Sequence, residues 1–339
     1  MNLGSTPHPV NVAVSLTSTK LRIATRSSPL ALWQAEHVAE RLRSVTTGLE
    51  VELVTSQTFG DRRQDLSIPE LGGKGVFCKE IQEQVLAGHA DIAVHSAKDL
   101  QATTPDGLTI AAFCARSDAR DALVGSTLAD LPDGATVATG SNRRSALLRD
   151  RRPDLRVIGL RGNVDTRLAK LDAAVDPTTG VTLRAIVLAA TALDRLGVAP
   201  AVVERLPADE FVPQVGQGAL AVEARSDDRA VVELVRAIDD EPTALTVRAE
   251  RSFLAELGGD CDLPAGANAE VLAAGTVDGA ADLPAGEGGP VLRIRGVLAA
   301  PDGTLLQRAV ETGPPSHDPG RSLARTLRKM LEAAAPPDV

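Results

Sequence analysis

From Leu21 onward, short apolar runs alternate with segments whose apolar residues recur every three or four positions. That alternation predicts α/β layers built from strand–helix units. LRIATR reads as a strand, and Ser28 before Pro29 reads as a helix N-cap with proline at the first helical position. Leu32, Ala35, Val38, Ala39 and Leu42 then form one apolar stripe. VELVTSQT is the next predicted strand. GGKGVFCKEIQEQVLAG is predicted as a glycine turn entering a helix, with Phe77, Ile81 and Val85 on one face and a stop at Gly88. DIAVHS runs as a strand into the polar SAKD turn, and TIAAFCAR closes a first half-domain.

A second set begins near Asp130. ATVATGS leads into helix NRRSALLRD, RVIGL into helix VDTRLAKLD, and RAIVLAA into helix TALDRLG, so both sets are expected to be parallel α/β. FVPQVGQGALAVEA follows as a loop and a buried strand that crosses back to the first set, with VGQGA as a flexible glycine crossing. After Glu241 the texture changes. A helix carrying Leu245, Phe253, Leu254 and Leu257 ends at Gly258 and Gly259, VLRIRGVLAA and TLLQRAVET form a hairpin over Pro301-Asp302-Gly303, and a polar helix spans Arg321 to Leu331. This is a small α+β unit, and the stretch from Ala273 to Gly289 reads as loop.

Length and charge narrow the picture. At 339 residues the chain is too long for one comfortable core. A net charge of -9 argues against a general nucleic-acid or anionic-membrane binder, so any anionic ligand needs a local basic site. With 2% aromatics and no Tyr, stacking platforms for single strands are excluded too. Cys78, Cys114 and Cys261 are odd in number and widely spaced, which suits neither a disulfide scaffold nor a zinc cluster and points to a reducing compartment. The first residues carry no secretion-signal pattern and read as a frayed tail. A soluble, cytoplasmic protein is expected.

The candidate chemistry lies in the arginines. Arg26, Arg143, Arg144, Arg161 and Arg167 fall at or just beyond the carboxyl ends of predicted strands, and Arg195 sits in a helix after another. Open α/β sheets bind ligands at that edge. Arg143 and Arg144 follow Ser141 in a first helical turn, where the dipole is already positive, a conflict that a bound anion would resolve. Ser28, Arg26 and the amides after Pro29 make a second anion seat. Guanidiniums grip carboxylates with paired hydrogen bonds, so the row suits a ligand rich in carboxylates; each arginine alone equally suits a solvated helix face. HSAKD places Lys98 and Asp99 at the same edge, where Asp99 either offsets a developing cation or caps a turn. His95 reads as a core-edge histidine donating to a backbone carbonyl, not a catalyst. Local chemistry reads Cys261 as a small buried hydrophobe, because Asp260 and Asp262 oppose thiolate formation.

Taken together, ATRSSPLALWQA, GGKGVFCKE, ADIAVHSAKDL, SNRRSALL, LRGNVDTRLAKLD, VGQGALAVEAR and GGDCDLPAG resemble, in order and spacing, the hydroxymethylbilane synthase (porphobilinogen deaminase) family over roughly Leu21 to Glu270. The resemblance implies two α/β domains like those of type-II periplasmic binding proteins and a small α+β C-terminal domain with an antiparallel sheet. The expected boundaries are 20–116 with 216–238, then 117–215, then 241–339, after a flexible tail at 1–19. It implies a monomeric cytoplasmic transferase that joins four porphobilinogen molecules with loss of ammonia, without metal, nucleic acid or membrane. It also implies a dipyrromethane cofactor joined through a thioether to Cys261, which overturns the local reading of that thiol. Asp99 matches the aspartate aimed at pyrrole nitrogens. Lys98, Ser141, Arg143, Arg144, Arg161 and Arg167 match cofactor-binding positions, and Arg26, Ser28, Arg161, Arg167 and Arg195 match substrate-binding ones. Asp61, Lys74 and Phe77 match a mobile covering loop. Glu70, Asp260, Asp262 and the insertion from Pro177 to Thr182 depart from the family pattern. A non-catalytic solute-binding protein and a hydrolase pairing Cys261 with His95 are the competing readings.

Overall fold

The computed structural model describes residues 20–58, 60, 75, 77–173, 175, 180–259, 263–272 and 290–335. The chain opens with β1 (Lys20–Arg26), α1 (Pro29–Val45), β2 (Glu50–Ser56), α2 (Lys79–Leu86), β3 (Ile92–Ser96) and β4 (Leu108–Cys114). Much later, β10 (Leu220–Arg225) returns between β3 and β4, giving the order β2-β1-β3-β10-β4. Strand β1 pairs in parallel with β2 and β3, whereas β10 runs antiparallel to both of its neighbours.

The second sheet uses β5 (Asp121–Val124), β6 (Thr136–Ala138), α3 (Asn142–Arg151), β7 (Arg156–Ile158), α4 (Val164–Asp172), β8 (Ala185–Ala189), α5 (Ala190–Leu196) and β9 (Val203–Arg205). Its order, β7-β6-β8-β5-β9, repeats the first sheet's plan, with β6 second and parallel to β7 and β8, and β5 inserted antiparallel to β8 and β9. These are two α/β units, as the resemblance implied, each built on a five-stranded sheet. Neither sheet is purely parallel, as the alternation had suggested. In β10 every residue but Arg225 is buried, so its run reads the same in either direction and periodicity carried no sign of orientation.

Helix α1 shows why the local reading works. Ser28 Oγ accepts from Ala31 N at 3.4 Å, and Ala31, Gln34, Ala35, Val38, Ala39 and Leu42 are buried. Leu32 is only half-buried, and Gln34 replaces it in the stripe because its amide donates to Ser96 Oγ at 2.9 Å. Leu42, with Leu21, Ile23 and Ile92, lies in the core beneath the first sheet, each such side chain contributing roughly 1.5–3 kcal/mol. Phe77 departs from expectation: it precedes α2 in a turn, while Ile81 and Val85 form the buried face.

After α6 (Arg229–Arg236), the remaining described elements are α7 (Glu241–Glu256), β11 (Ala265–Leu272), β12 (Val291–Ala299), β13 (Leu306–Gly313) and α8 (Pro319–Ala334). The strands form an antiparallel sheet, β11-β12-β13, covered by α7 and α8 through Phe253, Leu323, Leu327 and Ile294. A Cβ at Gly320 would lie 1.9 Å from Ala249 O, so this close crossing of the two helices requires glycine. No described helix is long and apolar enough to cross a membrane.

Candidate active site

The carboxyl ends of β1, β3, β6 and β7 open into a cavity of about 630 Å³ between the two sheets, within the usual range for small-molecule sites. Three helix N-termini converge there. Ser28 caps α1, Ser141 Oγ accepts from Arg144 N at 3.4 Å to cap α3, and Asn163 Oδ1 accepts from Thr166 N at 2.9 Å to cap α4. Their unpaired amides give the cavity a positive lining before any side-chain charge is added.

Among the described residues, the cavity wall carries the cations Arg26, Lys98, Arg144, Arg149, Arg161 and Arg167 against the acids Asp99, Asp165 and Asp302. In a chain of net charge -9 this is a focused basic site. The Arg26 guanidinium stands 4.6 Å over the Phe77 ring, so the predicted loop residue and the β1 arginine form one cation–π pair at the rim.

Asp99 closes a 3-10 turn, Ala97–Asp99, directly after β3. Its main chain is gripped from several elements. Cys78 Sγ donates to Asp99 O at 3.1 Å, Gln214 Nε2 to Lys98 O at 3.2 Å, Ala97 N to Ala219 O at 3.0 Å, and Arg251 Nη2 to Ala102 O at 3.0 Å. A turn held this way presents its side chains in one geometry. Burial, reinforced by the charge of Arg144, pushes the Lys98 amine down to about 8.

The arginine edge divides in two. Arg143 and Arg144 are almost fully buried and share Asp121, which has no exposed surface. Arg143 Nη2 lies 2.8 Å from Asp121 Oδ2, and Arg144 Nη2 lies 2.7 Å from Oδ1. Burial opposes ionisation of Asp121, but the two guanidiniums outweigh it and hold the carboxyl below the usual range. The expected conflict at the start of α3 is thus answered inside the protein by an aspartate at the start of β5. Arg144 still lines the cavity, whereas Arg143 turns to Val212 O at 2.6 Å and is not part of its wall.

Arg161 and Arg167 are different. Arg161 is partly exposed, makes no ion pair among the described residues, and has its pKa lowered by desolvation alone. Arg167 donates to Gly162 O at 2.8 Å; burial, then the neighbouring Arg144 and Arg161, lower it to about 10. Partly dehydrated cations that make no ion pair among the described residues favour a nearby anion. Arg195 lies apart from the wall, near the end of α5, donating to Gly218 O at 2.8 Å with its guanidinium 5.5 Å over Trp33.

Cys261, Asp61 and Lys74 lie outside the described residues, as do Glu70, Asp260 and Asp262. On the described flank of Cys261, Pro264 lines the cavity. Cys78 and Cys114 are buried, and burial pushes the Cys114 thiol up to about 11. His95 is buried, but its Nε2 faces Glu223 Oε2 at 3.1 Å instead of a backbone carbonyl. No cluster suited to a metal occurs among the described residues.

Sequence reasoning missed Asp121 and Gln217. Asp121 opens a short apolar strand, DALV, where a lone acid signals a buried partner; Gln217 lay in a segment read as flexible. That segment is instead tightly bonded: Gly216 N donates to Glu250 Oε2 at 2.7 Å, and the Gln217 side chain is fully buried.

Fold and site together define an α/β protein whose cleft between two sheets is lined, among the described residues, by five guanidiniums, Lys98 and three aspartates. Known proteins give that class its family. Residues 21–233 match "Porphobilinogen deaminase, dipyromethane cofactor binding domain", and residues 244–332 match "Porphobilinogen deaminase, C-terminal domain". The porphobilinogen deaminase of Syntrophomonas wolfei is 42% identical over 93% of this chain and 97% of its own. Those of Acidithiobacillus ferrooxidans and Chromobacterium violaceum are 44% and 41% identical, over 91% and 94% of this chain and 94% and 96% of theirs. The chain belongs to the porphobilinogen deaminase family, transferases of tetrapyrrole biosynthesis, and carries that family's dipyrromethane cofactor binding domain.

Proposed function

We propose that this chain joins four porphobilinogen molecules into the linear tetrapyrrole hydroxymethylbilane, releasing one ammonia per unit, with Asp99 as the catalytic residue. The observation that carries the assignment is the cavity wall, where one edge holds Asp99 beside Arg26 and Lys98 and the other holds Arg144, Arg149, Arg161 and Arg167. Porphobilinogen bears two carboxylates on a pyrrole. Loss of its amino group generates a ring-stabilised methylene cation. Asp99 accepts the pyrrole N–H and offsets the positive charge that develops as ammonia leaves, a contribution typically worth a few kcal/mol. Arg26, with Ser28 and the first amides of α1, receives substrate carboxylates, and Arg161 and Arg167 align the ring, lowering the entropic cost of attack, while Arg195, apart from the wall, holds Gly218 O.

The dipyrromethane fits the residues present. The wall supplies six cations and three helix N-termini to a group carrying several carboxylates. Lys98, Ser141, Arg144, Arg161 and Arg167 would hold it, with Cys261 as its thioether anchor, while Arg143, expected among them, acts from behind the wall through Asp121. When bound, it supplies the nucleophilic pyrrole carbon to which new units are added. Lys98 serves as a carboxylate contact, and Asp61, Lys74 and Phe77 belong to the loop that covers the cleft and excludes water.

The division into 20–116 with 216–238, 117–215 and 241–339, with 1–19 as a tail, is supported by the separate sheets and by the return of β10. We assign the chain to the cytoplasm as a monomer acting on a free small molecule, without nucleic acid; three cysteines, odd in number and widely spaced, suit a reducing compartment. Incubation with porphobilinogen tests the reading: ammonia and hydroxymethylbilane should form in a ratio of four to one, and a protein that binds porphobilinogen without releasing ammonia would refute it.

A further inference from the structure

Gln217 sits where the acid edge, the guanidinium edge and α7 meet. It is fully buried, and both ends of its amide are used. The side-chain oxygen accepts from Lys98 Nζ at 3.2 Å and from Arg144 Nη2 at 3.3 Å. The side-chain nitrogen donates to Ala119 O at 2.7 Å and to Asp121 Oδ1 at 2.8 Å. An amide is the one neutral group that can place an acceptor between two cations and two donors against a carboxylate and a carbonyl.

The main chain around it is fixed just as firmly. Arg116 Nε donates to Gln217 O at 2.9 Å, and the same guanidinium pairs with Glu250 of α7 at 2.6 and 3.1 Å. Gly216 and Gly218 have φ of +71° and +91°, and a Cβ at Gly218 would lie 2.5 Å from Ser117 O. Only glycine permits that approach, so the turn is a rigid seat for one side chain. Lys98 directly precedes Asp99, and Arg144 lines the cavity. One buried amide therefore links the residue beside the acid to a guanidinium of the opposite sheet.

We propose that Gln217 is a positioning residue whose amide sets the separation between the Lys98–Asp99 edge and the Arg144 edge, so that a ring gripped by its carboxylates meets Asp99 in register. The inference rests on the function proposed above. A misplacement of about 1 Å in such a site costs on the order of 10²-fold in rate, so losing the link should act on kcat more than on KM.

The test compares Gln217→Met with Gln217→Glu in the full-length protein. Denatured intact mass reports dipyrromethane load, and kcat and KM for porphobilinogen are measured per loaded molecule. Methionine fills the volume but breaks all four bonds. Glutamate keeps the two acceptor bonds to Lys98 and Arg144 and places a second carboxylate against Asp121. Groups facing the introduced carboxyl are Lys98 from the turn after β3, Arg143 and Arg144 from α3, Asp121 from β5, and Arg116. As a link, Gln217 predicts kcat down at least about 30-fold in Gln217→Met, with load kept and KM within about threefold, and kcat within about fivefold of wild type in Gln217→Glu. A mere packing role predicts the reverse order, since a volume-matched apolar residue is tolerated and an extra buried carboxylate is not. That reverse order, or kcat within about twofold in both variants, overturns the inference. Should Gln217→Met fail to fold, Gln217→Glu decides alone: kcat within about fivefold supports the link, and a greater loss at full load overturns it. Failure of the underlying function would appear in the wild-type protein, as absent ammonia release; failure of the link appears only in the variants.

Discussion

The two edges of the cleft share one strand plan but differ in charge: the first carries Asp99 beside Arg26 and Lys98, the second four arginines beside Asp165. In the first sheet, the strand at the third position of the plan ends in a turn whose backbone is clamped by Cys78, Gln214 and Ala219, and it presents one acid, Asp99. In the second sheet the guanidiniums follow other strands of the plan, Arg144 after β6 and Arg161 and Arg167 after β7, whereas the junction after β8 brings Ala189 and Ala192 to the wall. Those guanidiniums differ among themselves: Arg143 and Arg144 carry their own buried counter-ion, Asp121, whereas Arg161 and Arg167 make no ion pair among the described residues. The lesson concerns preorganisation. Charges that must stay fixed are neutralised from within, and charges that await a ligand remain open to it.

Removing the internal counter-ion should break the comparison most severely. Asp121→Ala would leave Arg143 and Arg144 buried without an anion, a loss of about 3–5 kcal/mol, and the protein should purify without dipyrromethane. Urea unfolding and intact mass check this; a loss below about 1 kcal/mol would show that water or rearrangement compensates the pair. Asp99→Glu acts on the other edge. It should keep its cofactor mass and unfolding midpoint while kcat falls about 10²–10³-fold, and an unchanged rate removes Asp99 from its role.

Arg161→Leu and Arg143→Leu sharpen the contrast within the arginine edge. Arg161→Leu should leave stability within about 0.5 kcal/mol but weaken ligand binding by about 1.5–3 kcal/mol, the worth of a charge-assisted bond. Arg143→Leu should instead lower stability, because Asp121 loses a partner. Equal unfolding midpoints for the two variants would erase the distinction.

The smallest effect lies at the crossing between sheets. Burial raises the pKa of Asp118, but hydrogen bonds from Arg120 and Arg205 outweigh it and bring the carboxyl to about 2. Its folded pKa is below the unfolded one, so the stabilisation is complete above about pH 4 and disappears as pH falls toward 2. Its arginine partners are well exposed, which limits the effect to about 1 kcal/mol. Asp118→Asn should thus be less stable than wild type at pH 7 and converge with it near pH 2; a pH-independent difference would contradict the assignment.

Much of this was legible in the sequence because it is local. The Ser28-Pro29 cap, the βα units and the arrival of arginines at strand ends depend on neighbours within a few residues. What escaped depends on distant partners. Asp121 and Arg144 are separated by 23 positions, and Gln217 and Lys98 by 119, so no window contains both members of either pair. Strand direction escaped for another reason: a strand buried on both faces looks the same parallel or antiparallel, and β5 and β10 are both of that kind. The turn at Gly216 and Gly218 was misread because positive φ serves a tight junction as well as a mobile one.

Intact mass of the denatured protein, before and after porphobilinogen is added, tests the central claim most directly. The account predicts a resting mass exceeding the chain by two linked pyrrole units, absent in Cys261→Ala, and a ladder of single-ring additions once substrate is supplied. A wild-type chain that stays at its bare mass under both conditions would contradict it.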